Sequence, residues 1–586
     1  PHRRWFSGVV EHSNFFGQYF CVVEDPLIPP AEATHACAVM KYQDIIEEWN
    51  GPSRANWGEL LVDNVAVWQA PKRMLPPSLS KSRYMMLLGE NELLPPQLPV
   101  DSQRSNSGLL FPMLTRDANF FYESDKRPIV LQVVAGNLLS VSRKFSIKAQ
   151  IRNSSGKEIK SFSQEAEFSP WGYKSVELKM PQLDKFGPYY VDVSMFDGRL
   201  KIAECTVRMG WLPYRNRVSD EERLSDDYPF DFHPTQISME RGSYDLTAVE
   251  HQLYILRQMG VRGIRLQSRF FNLTLDDAQQ AAAGAERKVQ YWRENILPLM
   301  QKHKISGWVS LMEQGNNNLP RVPQTPDEFK AWNAYIYAQT QAMGNDIDLV
   351  IFGNEGLGGY TASAEDDACL AQRSAFAGTT RDWFRLYHEA RKSSKAANPS
   401  LPFGPGHASD FQGVIAKRFI NSKESGNELD VFAVNAYGES GEMVEKIGKI
   451  LDRPNLFGVI PEVGVALPYK NSISFEHENY RAAKLVLTYI SILQRAPWIK
   501  RIAWFCFMCA GTEGHGVFDK YWCPRPAALA YTVMTDTLGA GRVVFFEKVA
   551  GNGRFYLWKR NNGTWVGICW NANKQTLSFK GKSPVE

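Results

Sequence analysis

Two glutamates follow apolar runs at positions where buried strands are expected to end. Glu355 comes two residues after the run 349–353, and Glu462 directly follows the run 456–461. Continuous apolar runs are typical of parallel strands buried on both faces, and in a βα-barrel the reacting groups lie where such strands end. A pair of carboxylates in this arrangement suits the cleavage of a glycosidic bond, which needs one proton donor and one nucleophile or base.

Eight strand-like segments, separated by amphipathic helices, must position these glutamates. They are predicted at 230–236, 262–268, 306–312, 348–354, 402–407, 430–437, 456–462 and 501–508. Helical periodicity at 243–259 and a capping box at 325–328 are typical of the connecting helices. Eight βα units over roughly 300 residues indicate a (β/α)8 TIM barrel. A doubly wound sheet is the rival fold, but no glycine-rich phosphate loop follows the first strand.

The rest of the chain is expected to add β-rich modules, so the predicted fold class is multidomain. A chain of 586 residues is expected to hold two or three domains. The predicted divisions are 1–125 for a β-rich N-terminal segment of undecided fold, 126–215 for a β-sandwich, 216–540 for the catalytic barrel and 541–586 for a small C-terminal β-sheet.

The order of polar residues along the barrel resembles that of clan A glycoside hydrolases. Asn354 and Glu355 follow strand four, Tyr437 follows strand six, Glu462 follows strand seven, and Trp504 lies on strand eight. The resemblance covers the barrel, a little over half of the chain, and rests on the whole constellation because each motif is short. It implies a retaining enzyme for β-linked glycans, with Glu355 as the acid/base and Glu462 as the nucleophile. No family within the clan is assigned.

Other residues on the same face are expected to support the two glutamates. Arg265, at the predicted end of strand two, is placed to keep Glu462 ionised, and Tyr437 can donate a hydrogen bond to it. Asn354 is expected to bind the sugar 2-hydroxyl, and Trp504 to form the floor under the sugar ring. Weaker candidates, for which a packing role is as good an explanation, are His233, Trp308, His407, Glu513 and His515.

One residue departs from the clan pattern. Many members have histidine two residues before the strand-six tyrosine, where this chain has Asn435. The change predicts different hydrogen bonding around the acid/base or a different substrate, so Asn435 is also a candidate for substrate binding.

Net charge, the length of apolar runs and the spacing of histidines indicate which partners and cofactors to expect. A net charge of +4 is too small to indicate nucleic-acid binding, and no apolar run approaches the ~20 residues of a membrane helix. The ten histidines show no HxH or HExxH spacing and no cofactor loop is present, so neither a metal nor a cofactor is expected. The expected partner is an oligo- or polysaccharide. A secreted or periplasmic location is inferred from that function alone.

Two other functions fit the same residues. A transglycosylase uses the same carboxylates but excludes water, and a carbohydrate-binding protein can use a barrel scaffold without turnover. The presence of both glutamates, with Arg265 and Tyr437, argues against a silent scaffold. The loop sequences do not distinguish a neutral from an anionic glycan or exo- from endo-action, and they predict no oligomeric state.

Overall fold

The computed structural model describes most of residues 108–570. The gaps are 115–118, 127, 138–140, 171–172, 214–217, 235–236, 238, 240–245, 270–272, 274, 313–322, 354–379, 408–412, 426–427, 439, 466–474, 508–514, 519–522 and 550–552. Within the described residues, the chain forms two N-terminal sheets, a closed parallel barrel and a C-terminal sheet.

Eight strands before the barrel form two sheets, which together are called the two-sheet domain. They are β1 (Gly108–Leu114), β2 (Phe120–Tyr122), β3 (Val130–Asn137), β4 (Arg143–Arg152), β5 (Glu158–Phe168), β6 (Tyr173–Lys179), β7 (Gly187–Asp197) and β8 (Leu200–Leu212). One sheet has the order β1-β3-β6 and the other β2-β8-β7-β4-β5. Strands β1 and β2 precede residue 126, so these sheets begin before the predicted boundary.

Eight parallel strands form the barrel, so the predicted fold class is confirmed. They are β9 (Phe230–His233), β10 (Gly263–Arg269), β11 (Ser306–Met312), β12 (Val350–Phe352), β13 (Phe403–His407), β14 (Val431–Val434), β15 (Phe457–Val463) and β16 (Ile499–Phe505). Each overlaps a predicted strand, and β16 pairs with β9 to close the barrel. The carboxyl ends of all eight strands therefore meet at one rim.

The barrel strands alternate with helices, and a π-helical segment, Trp292–Ile296, joins α3 to α4. The helices are α1 (Asp220–Arg223), α2 (Leu246–Gln258), α3 (Ala278–Tyr291), α4 (Leu297–Lys302), α5 (Pro326–Met343), α6 (Thr380–Ala397), α7 (Val414–Asn421), α8 (Gly441–Leu451), α9 (Phe475–Arg495) and α10 (Pro526–Leu538). The predicted capping box begins α5, where Thr325 and Glu328 cap each other reciprocally. None of the described helices is both long and apolar enough to cross a membrane.

Barrel side chains divide between two cores because neighbouring residues of a strand face opposite sides. The barrel-interior cluster consists of Trp308, Leu349, Ile351, Val431, Ala433, Val459 and Ala503. The intervening residues, such as Ile460, Ile502 and Trp504, belong to the larger core shared with the helices. Membership of one core or the other therefore shows which side chains on a strand point into the barrel.

The C-terminal sheet packs against the barrel helices. Its strands are β17 (Gly541–Val549), β18 (Gly553–Arg560) and β19 (Trp565–Trp570). The indole of Trp558 is fully buried and donates to the carbonyl of Leu538, at the end of α10, at 2.8 Å. This contact joins the C-terminal sheet to the barrel.

The two-sheet domain contacts the barrel through the beginning of α9. The Tyr190 hydroxyl of β7 donates to the buried carboxylate of Glu478 at 2.7 Å. Arg525 donates to the other carboxylate oxygen at 3.4 Å, and Arg208 of β8 lies 3.7 Å from it. These contacts fix the first turns of α9, which also carries Arg481.

Candidate active site

Strand β15 brings Glu462 to the rim, and a bulge turns its side chain inward. Residues 460–463 of β15 span the same length as 502–504 of β16, so β15 has one extra residue there. Val459 belongs to the barrel-interior cluster, and strict alternation from it would point Glu462 outward. The extra residue reverses this, and Glu462 contacts Arg265 from inside the barrel while only 6% exposed.

Arg265 and Glu462 form a buried ion pair. Nη1 of Arg265 lies 2.5 Å from Oε1 of Glu462, and Arg265 is 0% exposed. Nη2 donates to the Ser310 hydroxyl of β11 at 3.3 Å, which holds the guanidinium between three strands. Arg265 lies in the middle of β10, not at the end as the sequence suggested. A buried charge needs a partner, and here each charge is the partner of the other.

The second oxygen of Glu462 accepts hydrogen bonds from the segment after β14. The Tyr437 hydroxyl donates to Oε2 at 2.7 Å, and Nδ2 of Asn435 does so at 3.3 Å. The backbone N–H of Ala436 donates to the carbonyl of Glu462 at 2.9 Å, which ties the two chain segments together. Both oxygens of Glu462 are thus held, one by a cation and one by two neutral donors.

His233 lies beside the ion pair as a neutral imidazole. Its Nδ1 is 3.6 Å from Oε1 of Glu462 and 3.2 Å from Nη1 of Arg265. Its Nε2 lies 2.9 Å from the side-chain amide of Gln267. Burial, with a smaller contribution from the nearby Arg265 charge, holds the pKa of His233 well below its usual value. The ring is therefore a polar neighbour of Glu462 and not a second cation.

The expectation that Trp504 forms the floor of the sugar site is corrected by the structure. Trp504 is 0% exposed and faces outward from β16, where its ring stacks on Tyr489 of α9 at 6.2 Å. The neighbouring Phe505 has the opposite orientation and is partly exposed. Its ring lies 5.3 Å from that of His233. Phe505 is therefore the aromatic residue of β16 that faces the site.

Trp308 is also a packing residue, contrary to its prediction as a substrate contact. It is fully buried in the barrel-interior cluster, and its Nε1 donates to Oδ2 of Asp231 at 2.9 Å. Ser310, two residues further along β11, is the side chain of that face that reaches Arg265. Trp308 thus fills the barrel below the site and leaves no ring face for a sugar.

Several predicted site residues lie outside the described part of the chain. They are Asn354, Glu355, Glu513 and the side chain of His407, whose backbone ends β13. The described chain of the fourth barrel strand ends at Gly353, whose carbonyl accepts the Ser310 hydroxyl at 3.2 Å. Because Ser310 also contacts Arg265, this strand end is adjacent to the Arg265–Glu462 pair.

Three described residues near the ion pair were missing from the predicted site. They are Gln267, Ser310 and Phe505. Gln267 and Ser310 follow inward-facing Arg265 and Trp308 by two positions, so strand alternation alone indicates their orientation. His515, a weaker candidate from the sequence, lies beside Tyr437, and their ring centroids are 5.7 Å apart.

No protein-family model matches this chain, and no curated protein sequence does. Among solved structures, a family 39 glycoside hydrolase from the gut symbiont Bacteroides cellulosilyticus WH2 matches with a TM-score of 0.52 and 14% identity, covering 77% of this chain and 89% of that chain. This likeness shows the fold. Bacteroides uniformis β-glucuronidase 2, covalently bound to cyclophellitol-6-carboxylate aziridine, matches with a TM-score of 0.37 and 11% identity. This match covers 80% of this chain and 61% of that chain. A GH2 β-galacturonidase from Eisenbergiella tayi, bound to galacturonate, matches with a TM-score of 0.36 and 14% identity, covering 74% of this chain and 72% of that chain.

Proposed function

We propose that this chain is a retaining glycoside hydrolase for β-linked oligo- or polysaccharides, with Glu462 as the nucleophile and Glu355 as the acid/base. The observation that carries the proposal is the environment of Glu462. A buried carboxylate at the barrel rim, paired with Arg265 and hydrogen-bonded by Tyr437, is held in one orientation beside a cation. A nucleophilic carboxylate must be held in a fixed orientation towards the anomeric carbon, and these contacts support that role.

The reaction would proceed in two displacements. In the first, a Glu462 oxygen bonds to the anomeric carbon while the leaving oxygen takes a proton from Glu355. In the second, a water molecule gives a proton to Glu355 and its oxygen displaces Glu462 from the sugar. The inward-facing Phe505 offers an apolar surface against which a sugar ring can pack.

The assignment of Glu355 rests on its place in the chain and on the clan resemblance. It lies two residues after Gly353, and two residues of extended chain reach about 7 Å at most. Gly353 contacts Ser310, and Ser310 contacts Arg265. A carboxyl group starting from this strand end can therefore serve a sugar bound to Glu462. The two carboxyl groups of retaining enzymes are about 5–5.5 Å apart.

The β-linkage and the substrate class come from the same resemblance, and the barrel shared with a family 39 glycoside hydrolase is consistent with them. An oligo- or polysaccharide is usually met outside the cytoplasm, so the proposal includes a secreted or periplasmic location.

Sugar release from a broad panel of β-linked glycans, neutral and anionic, tests this function. Wild type is compared with Glu462→Gln and with Glu445→Gln, which changes a glutamate in an exposed ion pair on α8. Release by wild type and Glu445→Gln but not by Glu462→Gln is expected. Equal release by all three would assign the activity to another residue or to a contaminant, and release by none would contradict hydrolysis of this class of substrate.

A further inference from the structure

His515 lies against the two aromatic residues that face Glu462. Its ring centroid is 5.7 Å from that of Tyr437 and 5.6 Å from that of Phe505. His515 is 6% exposed, so its ring is enclosed and not part of a mobile surface. Tyr437 in turn donates to Glu462 at 2.7 Å. One enclosed ring therefore contacts the residue that orients the carboxylate.

A glycine two residues after Glu462 leaves the space that His515 occupies. A Cβ atom on Gly464 would lie 3.0 Å from Nδ1 of His515, 3.0 Å from the carbonyl oxygen of Phe505 and 3.4 Å from Cε1 of Tyr437. Contacts this short are tighter than side chains normally make, so a larger residue would displace the histidine or the end of β16. The carbonyl of Gly464 also accepts the N–H of Gly438, one residue after Tyr437, at 3.3 Å.

The backbone around His515 is fixed by the barrel. Arg481 of α9, which is 1% exposed, donates through Nη2 to the carbonyl of Gly516 at 2.6 Å. The N–H of Val517 donates to the carbonyl of Cys506 at 3.1 Å. His515 is thus held from behind by a buried helix residue and from the side by the chain that continues β16.

The His515 ring is neutral in the neutral pH range. Burial and the Arg481 charge lower the pKa of His515 to about 4, against the opposing effect of Glu462. A neutral ring can pack on the Tyr437 phenol without competing with Arg265 for the Glu462 carboxylate.

We propose that His515 is a positioning residue that holds the Tyr437 phenol in the orientation from which it donates to Glu462. It does not touch the reacting atoms, and its effect on turnover passes through Tyr437. The proposal rests on the assignment of Glu462 as the nucleophile, because only then does the orientation of its oxygen limit the rate.

A double-mutant cycle tests whether the two residues act as one unit. Tyr437→Phe and His515→Ala are each expected to lower kcat by about tenfold, with KM changed by less than about twofold. The double variant should be about as slow as Tyr437→Phe alone, because His515 has no effect once the hydroxyl is gone. The control is His251→Ala, which removes a half-buried histidine whose ring lies 6.2 Å from Tyr254 on α2, and it should leave kcat unchanged. An unchanged kcat in His515→Ala, or losses that multiply in the double variant, would overturn the proposal.

A crystal structure of His515→Ala gives a second result that does not depend on activity. The distance from the Tyr437 hydroxyl to Oε2 of Glu462 is expected to increase from 2.7 Å beyond hydrogen-bonding range. A distance that stays at 2.7 Å would overturn the positioning role. His515→Asn, which removes the ring but keeps a polar side chain, should lengthen the same distance and replaces His515→Ala if that variant does not fold. If wild type cleaves none of the glycans, the proposed function fails while this distance still decides the role of His515.

Discussion

The guanidinium of Arg265 and the carboxylate of Glu462 meet inside the barrel at 2.5 Å, one from the second barrel strand and the other from the seventh. Both side chains are almost fully buried. Taking two charges out of water costs free energy that their attraction often only offsets, so such a pair is weak evidence for stability. The place of Glu462 at the carboxyl end of β15, where the barrel rim lies, fits a functional role.

Breaking this pair should destabilise the protein. Arg265→Met leaves Glu462 buried without its cation, and the free energy of unfolding should fall by about 3–5 kcal/mol. The double variant Arg265→Met with Glu462→Gln should regain part of the loss, because no unpaired charge remains. Lys449→Met, which removes an exposed pair with Glu445, serves as the control and should change little. Urea unfolding measures all four proteins, and an Arg265→Met variant as stable as the control would contradict the buried pair.

The two neighbouring aromatic residues of β16 should have different effects when changed. Phe505→Ala removes the ring that faces the site, and kcat/KM should fall by about tenfold or more. Trp504→Phe leaves a cavity against Tyr489, so its melting temperature should fall while its kcat/KM stays near that of wild type. Steady-state kinetics measures the loss of kcat/KM expected for Phe505→Ala, and thermal unfolding measures the lower melting temperature expected for Trp504→Phe. A large kinetic loss in Trp504→Phe alone would restore Trp504 as the sugar platform.

Glu355→Gln should show a dependence on the leaving group. A poorly activated leaving group needs a proton in the first step, so its release should slow by about 10²–10⁴-fold. An aryl glycoside with a good leaving group needs little protonation, and its first step should be much less affected. Burst kinetics with substrates of graded leaving-group pKa measure the difference. Equal slowing of every substrate would argue against Glu355 as the acid.

The buried histidines should make the fold sensitive to acid. Burial lowers the pKa of His251 to about 3 and that of His515 to about 4, and it holds that of His233 well below its ordinary value of 6.5. Below pH 6.5 the unfolded chain binds protons that the folded chain does not, so stability present above that pH is lost as pH falls. Between its pKa in the folded chain and its pKa in the unfolded chain, each such histidine lowers the free energy of unfolding by about 1.4 kcal/mol for each pH unit that the pH falls.

Substituting one of these histidines tests the sign of the effect. His251→Gln removes one of these titrating groups, on α2, so stability should fall less steeply than in wild type from pH 6.5 to pH 4. Urea unfolding at several pH values across this interval gives both slopes. A steeper loss in His251→Gln, or identical slopes, would contradict the neutral state of His251.

The barrel could be predicted from the sequence because its strands are continuous apolar runs separated by periodic helices. Glu462 could be placed at the rim for the same reason, since the apolar run simply ends there. Its contact with Arg265 also depends on a bulge in β15, and no residue of the run signals that extra position. The location of the residue was therefore predictable, whereas its inward orientation required the structure.

Trp504 and Trp308 illustrate a different limit. A tryptophan near the end of a barrel strand is compatible with a sugar platform or with packing, and residue type alone favours neither. Alternation from Ala503 in the barrel interior assigns Phe505 to the inside and Trp504 to the outside. Trp308 does point inward, but it lies where side chains fill the barrel interior. The alternation of residues along a strand indicates which way a side chain points, and it does not indicate how far below the rim the side chain lies.

Covalent trapping of the nucleophile tests the central claim most directly. Wild type is incubated with the activated 2-deoxy-2-fluoro glycoside of the sugar that the glycan panel identifies, and the labelled peptide is mapped by mass spectrometry. Fluorine slows the second displacement, so the glycosyl-enzyme should accumulate with one sugar on the peptide that contains Glu462. Attachment to any other carboxylate, or hydrolysis with inversion at the anomeric carbon, would contradict Glu462 as the nucleophile of a retaining enzyme.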